Sequence, residues 1–91
     1  VLQGGTGNDT LAGGLGFNRL DGGAGTDLAD YAAQTEGLSV DLSDGTVSIG
    51  GVATDTLIAV EGVIATSGDD LLSGDINANT FQGQAGNDVL F

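Results

Sequence analysis

Gly4-Gly5-Thr6-Gly7-Asn8-Asp9-Thr10-Leu11-Ala12 runs directly into Gly13-Gly14-Leu15-Gly16-Phe17-Asn18-Arg19-Leu20-Asp21, and that into Gly22-Gly23-Ala24-Gly25-Thr26-Asp27-Leu28-Ala29-Asp30. One nine-residue template covers all three units. It returns at the C-terminus as Ala65–Ser73, Gly74–Gln82 and Gly83–Phe91. Position six is Asp9, Asn18 and Asp27 in the first block and Asp70, Asn79 and Asp88 in the second; position eight is Leu11, Leu20, Ala29, Leu72, Phe81 and Leu90. A fixed period of this kind is the mark of a repeat architecture, in which each unit buries its apolar face only against its neighbours.

The chemistry of one unit follows from its residue types. Glycines at positions one, two and four permit positive φ and close backbone approach. The Asx at position six bonds its local backbone and offers oxygen ligands. Positions seven to nine suit a very short strand whose central side chain faces inward while its neighbours face out. Arg19, Asp21 and Asp30 are therefore expected on the solvent side.

Composition narrows the function classes. A chain of 91 residues forms one domain at most, and so small a core calls for additional stabilisation. Cysteine and histidine are both absent, which removes disulfides, thiolate metal sites and the commonest zinc ligand and general base. Only oxygen chemistry is left. Thirteen acidic residues against one basic residue, Arg19, give a net charge of −12, which opposes compaction and excludes a nucleic-acid partner. An acidic disordered linker is the competing reading. A 40% hydrophobic content and the absence of proline argue against it. No run of 18 apolar residues spans a membrane. Val1-Leu2-Gln3 reads as the tail of a repeat, and Val89-Leu90-Phe91 stops where another Gly-Gly would follow, so the chain is expected to be a piece of a longer protein.

The units resemble the RTX nonapeptide repeat, GGxGxDxUx with U a large apolar residue, a calcium-binding β-helix signature. The resemblance covers 54 of 91 residues, and Gly4–Ala12 matches at every defined position. Asn18, Asn79 and the Ala65-Thr66 pair depart from it. It implies an all-β, right-handed parallel β-roll or β-helix solenoid with calcium in its glycine-rich turns. The expected domain is a single roll over 1–91, with regular repeats at 4–30 and 65–91 and an irregular solenoid segment at 31–64. Two units make one coil in this family, which stacks Asp9 on Asp27 and Asp70 on Asp88. Carboxylates stacked at strand spacing repel unless a cation lies between them. A flexible oxygen-only site suits calcium better than magnesium. The family's ligand pattern, carried over, gives one site from Gly5, Gly7, Asp9, Gly22, Ala24 and Asp27. The other uses Thr66, Gly68, Asp70, Gly83, Ala85 and Asp88. The aspartates would supply side chains and the others backbone carbonyls. Asn18 and Asn79 are expected to play structural turn roles, their stacking partners falling outside the regular blocks.

Asp70 follows Asp27 by 43 positions, so the nine-residue register breaks between the blocks. Gly50, Gly51, Asp55 and Leu57 nevertheless sit at template positions of Gly50–Ile58. Leu38, Val40 and Leu42 alternate, Asp44-Gly45 follows, then Val47 and Ile49. This reads either as a hairpin placing Leu42 opposite Val47 and Val40 opposite Ile49, or as wider rungs turning a corner, which the flanking repeats favour. Asp55 and Glu61 both invite reading as a further calcium site; Asp55 reads equally as a solvated turn residue, and for Glu61 the solvated acid is the favoured reading. Phe81 and Phe91 are expected to pack, and Phe17 is the one aromatic expected to be exposed.

The function expected is a calcium-binding module of a secreted protein. It would remain unfolded in a low-calcium cytosol, leave through a type I secretion channel, fold outside the cell and stabilise neighbouring domains of its parent. A polysaccharide- or surface-binding module is the second reading. Catalysis is not expected, because no base is available to activate Ser39, Ser43, Ser48, Ser67 or Ser73.

Overall fold

The glycine pairs end each strand after two or three residues. In the computed structural model, which describes residues 2–14, 16–75, 79–84 and 86–90, the repeats give β1 (Leu2–Gln3), β2 (Thr10–Leu11), β3 (Arg19–Asp21) and β4 (Leu28–Asp30), and later β8 (Gly62–Ile64), β9 (Leu71–Ser73), β10 (Thr80–Gln82) and β11 (Val89–Leu90). Between them lie β5 (Leu38–Asp41), β6 (Thr46–Ile49) and β7 (Val52–Ile58). The described residues contain strands and turns but no helix. The fold is all-β.

The strands lie in two sheets, one of seven strands ordered β1-β3-β7-β6-β5-β9-β11 and one of four ordered β10-β8-β4-β2. Outside the central segment the chain changes sheet at every turn, and neighbours within a sheet are parallel. Leu2 pairs with Leu20, Leu11 with Ala29, and Leu72 with Leu90. Each is a step of two units, so the same template positions coincide along a sheet. Position eight faces inward as the strand period demands: Leu11, Leu20, Ala29 and Leu72 are buried, and Phe81 packs half-buried against them. Leu90, on the edge strand β11, stays 50% exposed. Arg19 is exposed and Asp21 and Asp30 are half-buried, as outward positions should be. Both sheets contribute to one core, with Leu38, Val40, Val47 and Leu57 from the larger and Ala29 and Val63 from the smaller.

The central segment departs from the sequence reading. Wider rungs are not formed; β5, β6 and β7 make an antiparallel meander within the larger sheet. The hairpin register also differs, with Val40 opposite Val47 and Leu38 opposite Ile49. The cause is a longer loop, Leu42–Gly45, closed by Gly45 N–H donating to Asp41 O at 2.8 Å. Asp41 Oδ1 accepts from Ser43 N–H at 3.0 Å and from its hydroxyl at 2.6 Å, which holds the Asp41 carboxyl below its ordinary pKa. Leu42 turns into the core instead of pairing. Gly50 and Gly51, both at positive φ (60° and 83°), join β6 to β7 in the two-residue form that matches strand twist. The meander spans the gap between the blocks: β7 pairs with β3, and β5 with β9.

Candidate metal centres in the glycine-rich turns

Turns 4–9, 22–27 and 59–61 lead from the larger sheet to the smaller and form one edge of the stack. Turns 65–70 and 83–88 run the other way and form the opposite edge. The two predicted aspartate pairs therefore sit on opposite edges.

In turns 4–9 and 22–27, positions two and four take positive φ: 83° and 92° at Gly5 and Gly7, 78° and 101° at Gly23 and Gly25. Such values cost non-glycine residues about 1–2 kcal/mol each. Turns then stack so closely that a Cβ at Gly25 would strike Gly7 O, and one at Gly86 would strike Gly68 O. Position one is glycine for a different reason. The position-six carboxylate folds back over it, and a Cβ on Gly4 would lie 2.6 Å from Asp9 Oδ2, or on Gly83 2.6 Å from Asp88 Oδ2.

The aspartates form files, each carboxylate capping the turn before it. Asp27 Oδ1 accepts from Asp9 N–H at 2.8 Å, and Asp88 Oδ1 from Asp70 N–H at 2.9 Å. Asp70 Oδ1 in turn accepts from Leu38 N–H at 2.9 Å and from the Thr66 hydroxyl at 2.7 Å. The predicted pairs are thus brought together, through one oxygen each. The other oxygen is the notable one. Asp9 Oδ2, Asp27 Oδ2 and Asp70 Oδ2 are buried with no hydrogen-bond partner. A buried carboxylate oxygen without a partner carries a desolvation penalty that nothing offsets. Burial pushes the Asp70 carboxyl above its ordinary pKa, and the neighbouring Asp88 adds to the shift.

One of the remaining predicted residues falls beside these oxygens. Gly22 O comes to the same spot as Asp9 Oδ2, since the Cβ imagined on Gly4 would lie 2.9 Å from it. Gly5 O accepts from Ala24 N–H at 3.1 Å, tying the two turns together. Thr66 is buried; besides its bond to Asp70, its hydroxyl accepts from Gly68 N–H at 3.0 Å. Ala85 and Phe91 lie outside the described residues.

Two expectations are refined. Asp55 is buried and fully engaged: Oδ1 accepts from Asn18 N–H at 2.8 Å and Oδ2 from the Tyr31 hydroxyl at 2.7 Å. Burial, reinforced by that bond, pushes the Tyr31 hydroxyl far up, so it stays a neutral donor. Asp55 thus acts as a turn cap, and it is the stacking partner of Asn18. Glu61 is not a free solvated acid. Its Oε1 accepts from Asp27 N–H at 2.9 Å, which places it in the Asp9–Asp27 file. The signal was present in the sequence, for Glu61 precedes Asn79 by the same 18 positions that separate stacked residues, and Asn79 Nδ2 donates to Glu61 O at 3.2 Å. Asp69, exposed beside buried Asp70, has its Oδ1 accepting from Asn87 N–H at 2.8 Å, as Asn8 Oδ1 does from Thr26 N–H at 2.9 Å. Position five therefore carries an outer file of its own. Phe17 is exposed, at 80%.

Among the described residues no three carboxylates gather at one point. Any cation would thus be held by few carboxylates and by backbone carbonyls. Hard oxygen donors only, with unpartnered carboxylate oxygens beside converging carbonyls, fit calcium and no softer metal.

Comparison with curated proteins gives no match. A family model, the RTX calcium-binding nonapeptide repeat, matches in four copies over residues 1–33 and 63–91. That is more than half of the chain, it covers the turns bearing the unpartnered oxygens, and it marks the chain as calcium-binding. The chain belongs to the RTX calcium-binding nonapeptide-repeat family.

Proposed function

We propose that this calcium-binding module is a calcium-triggered folding element of a secreted protein, a right-handed parallel β-roll solenoid without catalytic activity of its own. The single observation that carries the reading is the trio of buried, unpartnered oxygens on Asp9, Asp27 and Asp70. A chain of net charge −12 that must bury such groups is poorly stable alone. Ions that bind only the folded form supply the missing stability by mass action. Right-handedness follows from the rule for parallel crossovers.

Calcium in the cytosol is too dilute for sites in the about 10⁻⁴–10⁻³ M range typical of extracellular modules. The chain accordingly stays unfolded until export, which in this family suits a type I channel, and once folded it stabilises an attached domain. The ions are held by the turn ligands Gly5, Gly7, Asp9, Gly22, Ala24 and Asp27, and by Thr66, Gly68, Asp70, Gly83, Ala85 and Asp88. Far-UV circular dichroism with and without millimolar calcium tests the reading. A strand spectrum appears on adding calcium; a complete strand spectrum in chelator overturns it.

A further inference from the structure

The bend Ala59-Val60-Glu61 lies outside the residues matched as nonapeptide repeats, and it has three residues where the repeat turns have six. It is nonetheless built into the turn file. Ala59 stands beside Gly22 in the ladder, because Asp21 pairs with Ile58 one residue earlier. It takes a left-handed φ of 52°, rare for alanine. Its carbonyl oxygen is thereby directed at Gly22: a Cβ there would strike Ala59 O and lie 2.7 Å from Asp27 Oδ2. Gly22 O and Asp9 Oδ2 meet over Gly4 in the same way, one turn earlier.

Two oxygens therefore converge over Gly22, and one of them is a carboxylate oxygen on a fully buried residue with no partner. The third member is Glu61. Its Oε1 receives Asp27 N–H at 2.9 Å, the relation that Asp27 Oδ1 has with Asp9 N–H at 2.8 Å. Glutamate has one methylene more than aspartate, and that reach lets it cap Asp27 from a bend half the usual length.

We propose that the gap between turn 22–27 and the 59–61 bend is a further calcium position, held by Asp27 Oδ2, the Ala59 carbonyl and the Glu61 carboxylate. It rests on the calcium reading above and extends the ion file past the last regular repeat of the first block, into the irregular segment. The left-handed Ala59 orients a ligand, and Glu61 replaces the missing aspartate.

Native mass spectrometry of the whole chain across a calcium titration tests it. Glu61→Gln keeps an oxygen for Asp27 N–H and removes only the charge. The variant is expected to hold one calcium fewer than the wild type at saturation. An equal ion count with an unchanged titration overturns the proposal while leaving the module's calcium binding intact; a wild type that binds no calcium overturns both. Should the variant fail to fold, a crystal structure of the calcium-loaded wild type decides. Density at about 2.3–2.6 Å from Asp27 Oδ2 and Ala59 O is expected. Ions in the other turns with none in this gap would refute it.

Discussion

Asp70→Asn should change the sign of its effect with calcium. Asp70 is 2% exposed, and its Oδ1 serves Leu38 N–H and the Thr66 hydroxyl while Oδ2 is unpartnered. Asparagine keeps the serving oxygen and removes the charge. An ion at about 100 times its Kd stabilises the fold by about 2.7 kcal/mol, a condition met near 10 mM calcium for a site at about 10⁻⁴ M. Losing that ion should lower Tm by about 10–20 °C, at about 4–8 °C per kcal/mol for a domain of this size. Without calcium the same change removes a buried charge lying beside Asp88. The metal-free fold should then gain about 1 kcal/mol or more, because a buried neutral amide costs less than a buried carboxylate. Thermal melts in calcium give the first figure. The midpoint of folding by trimethylamine N-oxide in chelator gives the second, because the osmolyte favours burial without binding the site. A shift of the same sign in both conditions would refute the reasoning: Asp70 would then be an ordinary structural acid.

Four further outcomes follow from the geometry. Because the folded state raises the Asp70 pKa, it binds the proton more tightly than the unfolded chain does; the metal-free fold should gain stability as pH falls through that raised value, while the calcium midpoint, read by circular dichroism, moves to higher concentration. Tyr31→Phe leaves Asp55 Oδ2 buried and unpaired and should cost about 1–3 kcal/mol in denaturant melts, with no change in the number of ions bound. Gly4→Ala drives a Cβ against Asp9 Oδ2 and Gly22 O and should weaken calcium binding at least about tenfold, or about 1.4 kcal/mol by calorimetry, whereas Gly51→Ala, with open space around it, should cost only its backbone strain of about 1–2 kcal/mol. Gln84 holds a φ of 62° at the position where Gly5, Gly14 and Gly23 stand in other turns, so Gln84→Gly should raise Tm in saturating calcium by about 4–8 °C per kcal/mol of strain relieved.

The repeats were legible because their period states the stacking directly. Eighteen positions separate Asp9 from Asp27 and Asp70 from Asp88, and the N–H to carboxylate bonds fall on those pairs. Strand positions followed as well, since position eight has only one side on which to hide. The central segment was not legible, because its order depends on contacts far along the chain. The Leu38–Ile49 alternation suits a hairpin or a rung equally, and β5 is decided by β9, which it pairs through Val40 and Leu72. Asp55 could not be told from a ligand, for nothing local announces that Tyr31 will reach it from 24 residues away. Glu61 reads as a solvated acid ahead of a ligand because its bend lacks glycines, although its distance from Asn79 places it in the file.

The meander also sets how order can spread along the molecule. Within each block every rung meets its predecessor 18 residues back, so structure can zip from one rung to the next as in a linear array. At the meander that relay is interrupted: β3 waits for a strand 37 residues later, and β5 for one 32 residues later. Closing these longer loops costs more entropy before any contact rewards it. The two blocks are thereby set up as separate cooperative units with a slow junction, and ions loading one half need not organise the other until the junction has closed.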